Sequence, residues 1–282
     1  MKPNVMTDDD VFFREYTSDD AIRKYTRATA GFGISHLLEH DYKNIYLDAL
    51  SRLPAQLRRG PLNVLEFGCG ADMNLVNLMA FFAREGVSIS RAIGTDFSPV
   101  LIDAAKREAQ NYLRNEEAAK LEFYVAKNET LIPDLSAVLA SDASSLRNSF
   151  HFLLGVNTIR YCHRAGKELD CSQQIFDLLA PGGVCVNIDM NDRFPVFRSA
   201  LRNKLAGQKE NEEECYLPSL QEYTEPFAQT GFEVLRSEHF CWIPHSAGPL
   251  LTGVLRGLTP ILNTVAGSRA MRSLVLAKKP AA

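Results

Sequence analysis

The chain has 282 residues, 46% of them apolar, enough for one large folded unit with a full core. Its 31 basic and 34 acidic residues leave a formal net charge of -3, which excludes a general electrostatic pull toward nucleic acid or an anionic membrane. The six cysteines (Cys69, Cys162, Cys171, Cys185, Cys215, Cys241) form no CxxC pair and read as reduced core thiols of a cytoplasmic protein.

Residues 1–10 are polar and too acidic for a secretion leader. From Val11 to Leu50, aromatic and apolar residues recur with helical spacing, which predicts several helices before the first strand. Leu62 to Phe67 is a short apolar run, the mark of a buried strand, and Gly68-Cys69-Gly70 follows at once. Met73 to Arg84 then places Leu75, Val76, Leu78, Met79 and Phe82 near one helical face. The pattern is strand, tight glycine turn, helix. Such a turn lets a ligand approach the backbone, and the helix start offers free N–H groups. Ala92 to Asp96 ends a second strand in an acid, and an acid about 25 residues past the glycines can accept hydrogen bonds from both ribose hydroxyls of an adenosine ligand. Ser98-Pro99 starts the next helix, serine as cap and proline at the first position.

Leu65-Glu66-Phe67-Gly68-Cys69-Gly70 resembles the first motif of the class I S-adenosylmethionine-dependent methyltransferases. Gly94-Thr95-Asp96-Phe97-Ser98-Pro99 resembles the second. The resemblance implies an α/β fold: a Rossmann-like seven-stranded mixed sheet with helices on both faces, its seventh strand antiparallel between the fifth and sixth. It implies an N-terminal helical cap over 1–60 and a core over 61–282, with inserts in the C-terminal half. The implied cofactor is S-adenosyl-L-methionine, with S-adenosyl-L-homocysteine as product and no metal. Glu66, Gly68, Gly70, Asp96, Phe97 and Ser98 are the implied cofactor contacts. Many members carry a third glycine where this chain has Asp72, whose carboxylate could itself bind the cofactor's amino group. The segment before the first strand often covers the cofactor in this family. Tyr16, Tyr25 and Thr29 are lid candidates on that basis, Tyr25 foremost.

Further along, Ser98 to Leu113 reads as a helix and Leu121 to Ala126 as the third strand. By the resemblance, Asn128 or Glu129 hydrogen-bonds the adenine amino group. Ser141-Asp142-Ala143 resembles the same motif, so Asp142 competes for that role. Phe150 to Val156 is the fourth strand, and its open end at Asn157 faces the ligand side of a parallel sheet. The polar run Asn157 to His163 leaves that end. Glu168 to Leu179 reads as a helix, Ala180-Pro181-Gly182-Gly183 as a sharp turn, and Val184 to Ile188 as the fifth strand. A flap is expected over 191–218. Leu220 to Thr230 is a helix stopped by Gly231, and a sixth strand follows from Phe232. An apolar insert is expected over 243–268, before a last strand at Arg272 to Ala277.

Methyl transfer from a sulfonium needs an acceptor held in line and water kept out. The protein need not supply a nucleophile. His163 is the candidate base and Asn157 the second catalytic candidate, expected to contact the cofactor as well, with His36, His239 and His245 weaker. Asp189 and Asp192 offer oxygen ligands for magnesium, but the surrounding motif does not match a metal-dependent type. The expected function is methyl transfer to an oxygen or nitrogen of a small, partly apolar metabolite. The acceptor is expected over the fourth and fifth strand ends, with Tyr25, Phe194 and Trp242 as aromatic walls. The expected assembly is a monomer or homodimer, with no nucleic-acid or membrane partner. The alternatives are a protein or nucleic-acid methyltransferase and a non-catalytic cofactor-binding scaffold. Base-flipping signatures and a basic stripe are missing, which disfavours the first of these.

Overall fold

A computed structural model describes residues 31–71, 73–195 and 217–281. Seven strands form one sheet: β1 (Leu62–Phe67), β2 (Ile89–Asp96), β3 (Leu121–Val125), β4 (Phe150–Val156), β5 (Leu179–Met190), β6 (Glu233–Phe240) and β7 (Arg272–Lys278). Their order is β3-β2-β1-β4-β5-β7-β6. The first five pair in parallel, and β7 runs antiparallel to both of its neighbours. The mixed sheet implied by the sequence resemblance is therefore present, reversed strand included. Helices cover both faces, which is why β1 and β4 are near-continuous apolar runs instead of alternating ones.

The longer helices are α1 (Lys43–Arg52), α2 (Met73–Arg84), α3 (Pro99–Tyr112), α4 (Leu131–Leu139), α5 (Glu168–Leu178), α6 (Leu220–Gln229) and α7 (Pro249–Ala266). Phe32–His36 and a π-helical stretch, Leu37–Tyr42, lead directly into α1. Two cores result. On one face Tyr46 and Phe82 both meet Phe152 edge-on, at 6.2 and 5.5 Å between ring centroids. On the other, Leu135, Ile175 and Phe227 pack with Phe67. The helical segment before β1 thus shares a core with the sheet. The predicted inner face of α2 is buried at all five positions. Ser98 caps α3, its Oγ accepting from the Leu101 N–H at 3.3 Å, with Pro99 at the first position.

One expectation needs correcting. The Pro-Gly-Gly run is not a turn before β5 but part of it. Phe150 pairs with Leu179 and Phe152 with Val184, so the residues between them bulge out of the strand. The bulge is tied to the chain after β7: Gly182 N–H donates to the Lys279 carbonyl, and Lys279 N–H to that of Gly183, both at 2.9 Å. The apolar insert is the helix α7, which buries only Thr252 and exposes Leu250, Val254, Ile261 and Val265. Tyr16, Tyr25, Thr29, Asp72, Cys215 and most of the 191–218 flap lie outside the described residues. The five described cysteines are free and buried. Among the described residues no helix is long and apolar enough to cross a membrane.

Candidate active site

The glycine turn carries β1 into α2. Gly68 sits at φ +63°, and a Cβ there would lie 2.0 Å from Thr158 Oγ1, in the segment that leaves β4. Only glycine accepts both the left-handed backbone and that contact. Gly70 is also left-handed, at φ +56°, but a Cβ there would meet nothing within 4 Å. The space in front of Gly70 is a cavity of about 530 Å³, a volume suited to a cofactor-sized ligand with a small partner.

Asp96, at the end of β2, clamps this turn. Its Oδ2 accepts the Gly70 N–H and its Oδ1 the Ser98 N–H, both at 2.9 Å. The carboxyl is buried but lines the cavity. Burial pushes its pKa up to about 6, against the pull of the two backbone donors. Glu66 lies beneath the turn, fully buried and away from the cavity lining. It accepts from Leu75 N–H at 2.9 Å and Asn74 Nδ2 at 3.2 Å, which secures the first turn of α2. Burial raises its pKa to about 8; its two donors oppose this and the nearby Asp96 charge adds to it.

The other wall of this end comes from β3 and β4. Asn128, just past β3, lines the cavity and donates from Nδ2 to Thr158 Oγ1 at 2.8 Å. Glu129 lines it as well, with Oε1 3.2 Å from Lys167 Nζ. Phe97 also faces the cavity, whereas Ser98 is fully buried as a cap. Asp142 is elsewhere, capping the short helix Ala143–Leu146 through the Ser144 N–H at 3.0 Å.

The cavity continues over the ends of β4 and β5. Asn157 stands there at φ +57°, its N–H donating to the Ile188 carbonyl at 2.8 Å. Its Oδ1 accepts from Nη1 of Arg272, the first residue of β7. Arg272 Nη2 meets Nε2 of His245, and both side chains line the cavity. Burial and the Arg272 charge push the His245 pKa down to about 3. The roof is Ile34, Leu37, Leu38 and Tyr42. The π-turn brings Leu37 and Tyr42, five residues apart, to the same side.

His163 is not brought to this place. The short helix Ile159–Arg164 carries it away from the cavity, and its ring packs edge-on against Tyr223 of α6 at 5.7 Å. Burial lowers its pKa. His36 stacks near His40 at 4.3 Å and His239 meets Ser273 Oγ at 3.2 Å; neither lines the cavity. Phe194 is buried in the core, and Trp242 donates to Asn263 at 2.7 Å on α7. Among the described residues no group of three or more His, Cys, Asp or Glu is placed to hold a metal ion. Arg272 was not singled out by sequence reasoning. The available signal was an arginine opening an otherwise apolar strand, Arg272-Ser273-Leu274-Val275-Leu276.

A family profile described as a methyltransferase domain matches residues 38–237. The chain is similar in structure to the CMeT domain of citrinin polyketide synthase, at 16% identity over 94% of this chain and 58% of that one, TM-score 0.59. It is similar to geranyl diphosphate C-methyltransferase from Streptomyces coelicolor A3(2), solved with Mg2+, geranyl diphosphate and S-adenosyl-L-homocysteine: 18% identity, 86% and 80% covered, TM-score 0.52. It is also similar to Haemonchus contortus phosphoethanolamine N-methyltransferase 2, solved with S-adenosyl-L-methionine: 16% identity, 98% and 61% covered, TM-score 0.55. At these identities the structural likeness is one of fold. No curated protein sequence matches the chain.

Proposed function

The chain belongs to the methyltransferase-domain family, the S-adenosylmethionine-dependent class I enzymes, and on that premise we propose that it methylates an oxygen or nitrogen atom of a small, partly apolar metabolite. One observation carries this reading: a single roofed cavity runs from the glycine turn and Asp96 to Asn157 and Arg272. When bound, S-adenosylmethionine would supply an electrophilic methyl carbon on a sulfonium: an acceptor lone pair would bond to that carbon in line as its bond to sulfur breaks, with S-adenosylhomocysteine as the leaving group.

The residues present fit that cofactor. The open face of Gly70 admits a ligand against the backbone. Asp96 keeps lone pairs beyond those given to Gly70 and Ser98, which suits two ribose hydroxyls. Phe97 supplies an apolar face for the adenine ring. Asn128 gives its amide hydrogen to Thr158, which leaves its oxygen to accept from the adenine amino group. Glu129 stands beside it with Lys167. Glu66 acts one step back, by holding the helix start that shapes the turn.

At the acceptor end Asn157 is fixed by Arg272 through its oxygen, so its amide nitrogen is left to donate. Leu37, Leu38 and Tyr42 exclude water above it. His163 has no part in this reading. A cavity of this size and apolar roof favours a small molecule over a protein side chain or a flipped base. Buried free thiols fit a reducing compartment, which supports the cytoplasm as its location.

The test is calorimetry with S-adenosylhomocysteine on ligand-stripped protein, followed by radiolabelled methyl transfer into fractionated cell extract. Binding on the order of micromolar is expected, within the usual range for enzyme ligands. Label should enter the small-molecule fraction. Label confined to precipitated protein or RNA would overturn the reading.

A further inference from the structure

Arg272 is 1% exposed, yet it lines the cavity. Its Nε is buried and has no hydrogen-bond partner. Its two terminal nitrogens are aimed by Asn157 and His245. A guanidinium has five N–H donors, so most of them are still available. Among the described residues Arg272 makes no ion pair.

The charged and titratable groups around it do not balance it. Asp189, the buried acid whose field reaches it, has Arg160 at 3.9 Å and accepts from the Met190 N–H at 2.8 Å. Tyr42 and Cys241 are held protonated, each pushed up to about 12 by burial. His245 is neutral. An unpaired cation in an apolar enclosure is destabilising, and a ligand that carries the missing charge recovers that energy.

We propose that Arg272 is the group that holds the methyl acceptor, and that the acceptor binds as an oxyanion, either a carboxylate or the ionised form of an acidic hydroxyl. The shortage of bases at the Arg272 end of the cavity agrees with this. His245 holds a proton too weakly to serve as one at neutral pH, and Glu129 is committed to Lys167. An acceptor that arrives ionised needs no base. The inference rests on the methyltransferase reading only in naming the anion as the acceptor.

The experiment compares charged and neutral twins by calorimetry in mildly alkaline buffer, with and without saturating S-adenosylhomocysteine. The probes are 4-phenylbutyrate against its amide, and 4-nitrophenolate against 4-nitroanisole. In the wild type at least one anion should bind about 10-fold or more tighter than its twin, the scale of a charged hydrogen-bond pair. In Arg272→Gln the preference should fall below about 2-fold, and Arg272→Lys should keep part of it. Preference for the carboxylate alone assigns a carboxylate acceptor; preference for the phenolate alone assigns an acidic hydroxyl. No preference in the wild type, or an undiminished one in Arg272→Gln, overturns the proposal. Should that variant fail to fold, the Arg272 Nε–H resonance of the wild type replaces it. That resonance must shift with the anion and not with its twin. Loss of S-adenosylhomocysteine binding would sink the methyltransferase reading, while the anion comparison without it still decides the role of Arg272.

Discussion

Glu66 gives the sharpest separation between a ligand contact and a structural acid. Replacing it with glutamine keeps its shape and an oxygen to accept the Leu75 N–H, and removes the titration together with the second acceptor that Asn74 Nδ2 uses. Its pKa rises from an ordinary 4.5 to about 8 in the folded state, because burial penalises the charged form. The folded chain therefore holds a proton that the unfolded chain has lost. Stability from this group is fully present below the unfolded value and is lost as pH rises through the folded one. Each pH unit in that window is worth ~1.36 kcal/mol. Between about pH 5 and about pH 9 the wild type should lose about 4 kcal/mol from this group, and Glu66→Gln should not. Urea titrations of both proteins across that range read the difference, in which other titrating groups cancel. Parallel pH profiles would refute the reasoning. So would a roughly 10-fold or greater loss of cofactor affinity in Glu66→Gln, since that would make the carboxylate a ligand contact.

The two glycines of the turn should separate as well. Gly68→Ala should cost about 2–4 kcal/mol in urea unfolding, from left-handed strain and collision with Thr158. Gly70→Ala should cost only about 1 kcal/mol but weaken cofactor binding roughly 10-fold or more, because its methyl enters the cavity; equal effects of the two on both measurements would contradict this. Asp96→Ala should weaken cofactor binding about 10–150-fold with the far-ultraviolet dichroism unchanged, and an unaltered dissociation constant would place the ribose elsewhere. His163→Ala should leave turnover within about 3-fold and lower stability by about 0.5–1.5 kcal/mol through the lost Tyr223 contact; a drop near 100-fold would restore it as the base.

The parts of this molecule legible in its sequence are those set by local chemistry. Ser98-Pro99 announces a helix start because the cap bond spans three residues. Asp96 follows the same logic at the end of an apolar run. The Pro-Gly-Gly bulge was hidden because its hydrogen bonds are made to Lys279, far along the chain. The insert over 243–268 was legible as apolar, but its helix α7 carries Gly253, Gly257 and Pro260, residues of low helix propensity, so its form was not. The direction of His163 depends on how a six-residue helix sits against α6, which no spacing encodes. The Asn157–Arg272–His245 cluster joins positions 115 and 27 residues apart, so only the closed sheet brings it together.

The place of β7 in the sheet also orders events at the ribosome. Among the described residues it is the last strand in chain order, yet it lies between β5 and β6, and β6 has no other neighbour there. As the chain emerges, β1 to β5 can pair with one another, while β6 has no edge to join until residues 272–278 have left the exit tunnel. Arg272 opens that strand. The glycine turn and Asp96 are therefore translated well before Arg272, and a chain stalled after β6 would have that end of the cavity without the side chain that fixes Asn157.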